Sequence, residues 1–368
     1  MNPFKYGQIV SENYYCPRLE IEETIKKHII SGQNMLIEGE RRVGKSSLIV
    51  NTANKIKNHH MVYIDINQIK SVNDLIARIT NALISANKQI GAFEKIIKML
   101  SHLRPSLSID SLSGNPSISF HTSEILPPEN IENLLDLIYK DNKSNKTIVV
   151  FDEFQNILNL DDSDKILAMM RSRIQFHSNM TYIFSGSVRN DMNNIFYDPD
   201  SPFFKSAIKI EVGALPRDDL SNYLTDCFKQ GNRTLEKKVI EKIYIEAGDR
   251  VGDIQELCNA LWSITENDTT LTETDVTDAL NVVFAREKDL YEYNIDRLTS
   301  HQLRCLTGVA HLGGLSVQSA TFLEHTGIIH ASSVKKAINR LVTLKILYYY
   351  KKEYIFNSPF LKSWLKQM

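Results

Sequence analysis

Residues 34–47 read Asn34-Met35-Leu36-Ile37-Glu38-Gly39-Glu40-Arg41-Arg42-Val43-Gly44-Lys45-Ser46-Ser47. A short apolar run of buried-strand type leads into Gly39-x-x-x-x-Gly44-Lys45-Ser46, a full match to the phosphate-loop pattern, and a helical pattern follows. From average residue frequencies, such a match arises by chance in roughly one chain per hundred of this length, before any strand and helix are demanded. Backbone N–H groups of such a loop and the helix N-terminus behind it form an anion cradle. The glycines admit dihedrals and close approaches that a Cβ blocks. Glu40, Arg41, Arg42, Val43 and Ser47 complete the expected phosphate-binding stretch, in which Lys45 reaches the β- and γ-phosphates and Ser46 ligates Mg²⁺.

Outward from the loop, strand and helix patterns alternate. A helical pattern covers Leu19–Ile30 and stops at Ser31-Gly32. The helix after the loop is expected to reach about residue 57, followed by a strand over 61–66 and helices over about 71–87 and 93–103. Residues 106–120 alternate apolar and polar around Ser-Gly-Asn-Pro, the signal of a hairpin inserted into the series. A helix over 128–140, a strand over 147–151, a helix over about 162–177 and strands at 182–184 and 208–212 complete the set. The alternation predicts an α/β fold, a P-loop domain with a largely parallel sheet over residues 1–212. Residues 217–285 read as four or five short helices, one of them opened by a cap-like Thr272-x-x-Asp275, and give a helical lid domain over 213–296.

The strand at 147–151 ends in Asp152-Glu153. Behind a phosphate loop, an aspartate at that strand end helps hold Mg²⁺ through water, and the adjacent glutamate orients and deprotonates the attacking water. This arrangement requires one strand between the loop strand and the acid-pair strand, and 182–184 is the candidate. Ser185, at the end of that strand, is either a sensor of the γ-phosphate or part of a plain turn. Arg171, Arg173, Arg189 and Lys205 read as solvated or ion-paired groups rather than as an arginine-finger cation.

Residues 297–368 show three helical patterns, two short strands and a final helix, the layout of a winged helix-turn-helix. The third helix, about 332–342, is expected to start on serine caps and to bury Val334, Ile338, Leu341 and Val342. That leaves Lys335, Lys336, Asn339 and Arg340 outward, with Lys351-Lys352 as a tight basic turn between the strands. These residues are the candidate contacts to duplex DNA; docking of a protein effector is the other use of such a module.

Composition adds exclusions. The net charge is −1, yet residues 330–368 carry eight Lys/Arg against one acid, so a basic tail is joined to an acidic body. No apolar run is long enough for a membrane span, and the N-terminus shows no secretory signal. The four cysteines lie far apart in sequence and read as reduced, buried thiols of a cytoplasmic protein.

Taken together, NPFKYGQIV, YYCPRLEIEETIKKHIISGQNMLIEGERRVGKSSLI, VVFDEFQNI, IFSGS, SPFF and AGDRVGDIQELCNALW resemble the prokaryotic archaeal-type ATPases, a branch of the STAND and AAA+-related P-loop ATPases. The layout is also similar to that of ATPases that load replication origins. The resemblance implies an AAA+/STAND-like sheet with helical lid and winged helix, ATP and Mg²⁺ as ligands, and a conformational switch driven by binding and hydrolysis. It implies nucleotide contacts from Arg18 and, in the lid, from Arg250 as a second sensor. Where the family pattern after SPFF continues with arginine, this chain has Lys205. The expected activity is a slow ATPase whose nucleotide state controls the winged helix, with a nucleotide-dependent oligomer among its partners. The alternatives are an ATP-bound DNA-binding regulator or a docking adaptor with little hydrolysis.

Overall fold

The computed structural model describes residues 1–10, 12–86, 106–109, 116–119, 126–141, 146–187 and 190–367. The expected helix over 93–103 and Arg189 lie outside them. The chain divides into two compact units, residues 9–213 and residues 1–8 with 214–368.

In the first unit, helix α1 (Leu19–Ile30) precedes strand β1 (Met35–Gly39) and helix α2 (Lys45–Asn54). Strand β2 (His59–Asp65), helix α3 (Val72–Ala86) and the antiparallel pair β3 (Ser106–Ile109) and β4 (Pro116–Ser119) follow. Next come α4 (Glu129–Asp141), β5 (Lys146–Asp152), a 3-10 turn (Phe154–Asn159), α5 (Ser163–Ile174), β6 (Met180–Ser187), α6 (Asn190–Phe196) and β7 (Ile208–Glu211). The main sheet has five strands in the order β2-β5-β6-β1-β7, and every pairing is parallel. Strand β6 therefore lies between the loop strand and the acid-pair strand.

Strand alternation makes this a three-layer structure, because successive side chains point to opposite faces. Leu36, Val62, Val149, Phe151 and Phe184 face a core covered by α3, α4, α5 and α6. Met35, Ile37, Ile148, Val150 and Ile183 face the other core, covered by α1 and α2. Both faces are largely apolar along β1, β5 and β6, as buried parallel strands require, with buried polar residues such as Glu38 and Ser185 toward the carboxyl ends.

The second unit begins with α7 (Arg217–Lys229), α8 (Lys237–Ala247) and α9 (Val251–Ile264). The helix after Thr272 is not short. Helix α10 (Glu273–Asp296) runs 24 residues, past residue 285 where the short helices were expected to end, from a capping box in which the side chains of Thr272 and Asp275 each engage the other's backbone N–H. The winged-helix segment comprises α11 (Ser300–Leu312), α12 (Ala320–Thr326), α13 (Ala331–Thr343), β8 (Leu347–Tyr350), β9 (Glu353–Phe356) and α14 (Pro359–Leu365). Tyr291 of α10 packs on Trp364 of α14 at 5.4 Å between ring centroids, and Ser363 Oγ donates to Glu246 Oε2 at 2.7 Å. Such contacts join the helical segment and the winged helix in one unit. The N-terminal residues belong here too. Phe4 is fully buried against Phe228 and Trp262, and Asn259 Nδ2 donates to the Phe4 carbonyl at 2.9 Å. A buried phenylalanine outweighs sequence proximity in deciding where a terminus lies.

Candidate functional site

The loop takes its shape from two glycines. Gly44 sits at φ 90°, a left-handed position ahead of α2. At Gly39 an added Cβ would come within 2.3 Å of the Val212 carbonyl, so only glycine lets β1 pass that backbone. Arg42 also has positive φ, at 64°. Lys45 opens α2, is only 6% exposed, and bridges the loop with Nζ donating at 2.9 Å to the carbonyls of Gly39 and Glu40. Burial lowers its pKa, while Glu153 and Asp152 pull it back up. An ammonium carries three donors, so these contacts leave one N–H for a phosphate oxygen.

At the carboxyl ends of β1, β6 and β5 the residues expected from sequence meet. Ser46 Oγ donates to Asp152 Oδ2 at 2.6 Å. Register pairs Ile37 with Ser185 and Phe151 with Phe184, which sets Ser185 in the strand between loop and acid pair. Ser185 is fully buried, and its Oγ has no hydrogen-bond partner among the described residues. Ligands of open parallel sheets bind at this end of the strands.

A hydroxyl and a carboxylate side by side fit Mg²⁺, a hard cation held by one or two protein oxygens plus substrate phosphates. Ser46 and Asp152 would hold it. No cluster of three or more His, Cys, Asp or Glu suited to a metal occurs among the described residues.

Tyr63, two residues before the end of β2, was not visible in the sequence as a site residue. Its hydroxyl also donates to Asp152 Oδ2, and burial followed by the Asp152 charge drives its pKa upward. It stays a neutral donor that fixes the carboxylate. Only its register, Tyr63 opposite Val150 and Asp65 opposite Asp152, could have pointed to it.

Arg18 precedes α1 and is 5% exposed. Its guanidinium donates to the Val43 carbonyl at 2.6 Å and to the Gly213 carbonyl at 2.9 Å, clamping the loop to the chain beyond β7. Glu22 accepts from the Arg18 N–H and from Tyr15, and pairs with Lys55 at 2.6 Å. Arg250, which the resemblance placed in a nucleotide sensor role, is committed inside the second unit. It pairs with Asp253 at 3.0 Å and donates to the carbonyls of Asn357 and Phe356. Arg173 is ion-paired with Glu132 and Asp136, and Lys205 lies over the Phe204 ring.

In the winged helix, α13 buries Val334, Ala337, Ile338 and Leu341, with Val342 half-buried, and turns Lys335, Lys336, Asn339 and Arg340 to the exposed side. Its expected serine caps are absent. The helix starts at Ala331, so Ser332 and Ser333 fall inside its first turn, and His330 at the N-cap makes no side-chain cap. Lys351 and Lys352 form a two-residue turn with φ of 45° and 70°. Left-handed backbone costs about 1–2 kcal/mol for a residue with a Cβ, and Asn-Gly is the usual solution there. Among the described residues none of these five cations forms an ion pair. Between Lys335, Ser319 and the wing residues Tyr349, Lys352 and Tyr354 opens a pocket of about 440 Å³. No helix among the described residues is long and apolar enough to cross a membrane.

Residues 30–189 match the family model described as "AAA domain", and residues 289–367 match one described as "Probable winged helix domain". A Walker-type ATPase of Pyrococcus abyssi is similar in structure over 99% of this chain and 99% of its own, with a TM-score of 0.66 and 17% identity. The ORC2 protein of Aeropyrum pernix, in ADPNP and ADP complexes, is similar over 99% of this chain and 96% of its own, with a TM-score of 0.57 and 15% identity. The Aeropyrum pernix ORC1 protein in complex with DNA gives 96% and 93%, a TM-score of 0.53 and 12% identity. No curated protein matches the sequence. At these identities the likeness is one of fold.

Proposed function

We propose that this chain, an AAA domain joined to a C-terminal winged helix in the manner of archaeal-type P-loop ATPases, binds ATP with Mg²⁺, hydrolyses it slowly, and uses its nucleotide state to control contact between the winged helix and duplex DNA. The observation that carries the reading is the meeting of Lys45, Ser46, Asp152 and Glu153 at one end of the sheet, with Ser46 and Asp152 already hydrogen-bonded. In this reading the loop N–H groups and Lys45 hold the β- and γ-phosphates, Ser46 and Asp152 hold the metal ion, and Glu153 takes the proton of the attacking water. The metal, when bound, neutralises charge developing on the phosphate oxygens. Phosphoryl transfer depends on positioning and electrostatics, so turnover is slow until a partner or a second copy adds positive charge.

The DNA part rests on the exposed cations of α13 and the wing, which pair with no acid among the described residues. Each phosphate contact releases counterions, so binding should weaken steeply with salt. The test is ATP turnover of the wild type and Lys45→Ala, each with and without duplex DNA. The reading expects turnover well above the Lys45→Ala background and altered by DNA. Turnover at background in both conditions would favour a regulator that keeps ATP as a static ligand, and indifference to DNA would favour a protein effector.

A further inference from the structure

Glu153 leaves β5 in the left-handed region, at φ 54° and ψ 42°. A residue with a Cβ is strained there and persists only when its surroundings hold it. Two neighbours do. The backbone N–H and Nδ2 of Asn156 both donate to the Glu153 carbonyl, at 3.0 and 2.8 Å. Nε2 of Gln155 donates to Oε2 of the Glu153 carboxylate.

The Gln155 amide is itself locked. Its Oε1 is buried with no hydrogen-bond partner among the described residues. It lies against Gly186 of β6, where an added Cβ would come within 2.5 Å of Oε1 and 2.8 Å of the Met192 sulfur. A buried carbonyl without a partner is costly and calls for a reason. The reason offered by the geometry is that this lodging aims the amide donor at Glu153.

We propose that Gln155 is a positioning residue for Glu153, seated in a notch that Gly186 keeps open. This rests on the ATPase reading above. The amide occupies one carboxylate oxygen and stops the side chain rotating, so the other oxygen is presented to the attacking water. In the step itself the water oxygen bonds to the γ-phosphorus while the bond from phosphorus to the β–γ bridging oxygen breaks. The bridging electron pair stays on the ADP oxygen, and the water proton passes to the free oxygen of Glu153.

The test is steady-state ATP hydrolysis and Mg-ATP affinity for Gln155→Ala, and for Gln155→Glu, which keeps the shape and removes the donor. Both should lose about 10–100-fold in kcat, the scale of a misplaced reacting group, with affinity and KM within about twofold of wild type. Gln155→Ala added to Glu153→Gln should cost nothing further, because the residue it positions is already disabled; a merely structural role would still show. Gly186→Ala should reproduce the kcat loss. Unchanged kcat in both Gln155 variants, or a full further loss in the Glu153→Gln background, overturns the assignment alone. Absence of wild-type turnover above the Lys45→Ala background overturns the ATPase reading and this assignment with it.

Discussion

The two candidate sites treat charge in opposite ways. Around the phosphate loop, Lys45, Asp152 and Arg18 are almost wholly buried, and each has a partner within the same unit. On the winged helix, Lys335, Lys336, Arg340, Lys351 and Lys352 are exposed and pair with no acid among the described residues. Burying a charge costs several kcal/mol unless it is paired, whereas an exposed cation costs little. The first arrangement is therefore internally neutralised and held to one geometry. The second leaves its charge open to solvent, as the proposed contact with duplex DNA requires.

The sharpest way to break this contrast is Lys45→Ala. Removing the buried ammonium should abolish nucleotide binding in a titration with a fluorescent ATP analogue, and retained affinity would show that the loop alone suffices. On the open surface, effects should instead be graded. Alanine at Lys335, Lys336 or Arg340 should weaken duplex DNA binding across sequences and reduce the salt slope by about one each, with ATP turnover in the absence of DNA unchanged. A slope that does not move would remove that residue from the interface.

Tyr63→Phe probes the support around Asp152. It should raise the Mg²⁺ midpoint of turnover by about tenfold, the usual cost in metal affinity of losing a group that orients a metal-binding carboxylate. An unchanged Mg²⁺ midpoint would reduce Tyr63 to packing. The wing turn tests whether backbone strain is retained for charge. Replacing Lys351-Lys352 by Asn-Gly should raise stability by about 1 kcal/mol or more in denaturant melts while reducing the DNA salt slope. A destabilised variant would contradict that view.

The smallest effect concerns buried His177, between α5 and β6, stacked on Tyr139 at 4.6 Å with Nδ1 2.7 Å from the Tyr182 hydroxyl. Burial lowers its pKa although Asp136 opposes this. A depressed folded value makes its contribution complete above the unfolded imidazole value of about 6.5 and lost as pH falls through the lower folded value. Denaturant midpoints should therefore decline below about pH 6.5, less steeply in His177→Gln. An equal decline would assign the loss to other groups.

What the sequence showed and hid follows from the range of the interactions. The phosphate loop, α1 and the central place of β6 were legible because they rest on a local motif, a helical period ended by Ser31-Gly32, and the logic of one intervening strand. The grips of Tyr63 on Asp152 and of Arg18 on Val43 join residues distant in sequence, and no local pattern announces them. The expected end of α10 near residue 285 falls short because the charged run Arg286-Glu287-Lys288-Asp289 interrupts the apolar pattern ahead of residues 290–296. Residues 285–296 contain neither glycine nor proline, however, so nothing stops the helix before Arg297. Phe4 carries no periodicity at all, and only its packing on Phe228 shows which unit it serves. The resemblance implied a sensor at Arg250, whose guanidinium here engages Asp253 and the carbonyls of Phe356 and Asn357.

In the proposed function, the phosphate-loop site turns ATP over through Glu153. The most direct measurement is ATP hydrolysis by Glu153→Gln beside its Mg-ATP affinity. Affinity should stay within about twofold of wild type while kcat falls at least about 100-fold, the scale of a lost general base. Near-normal hydrolysis by that variant would contradict it.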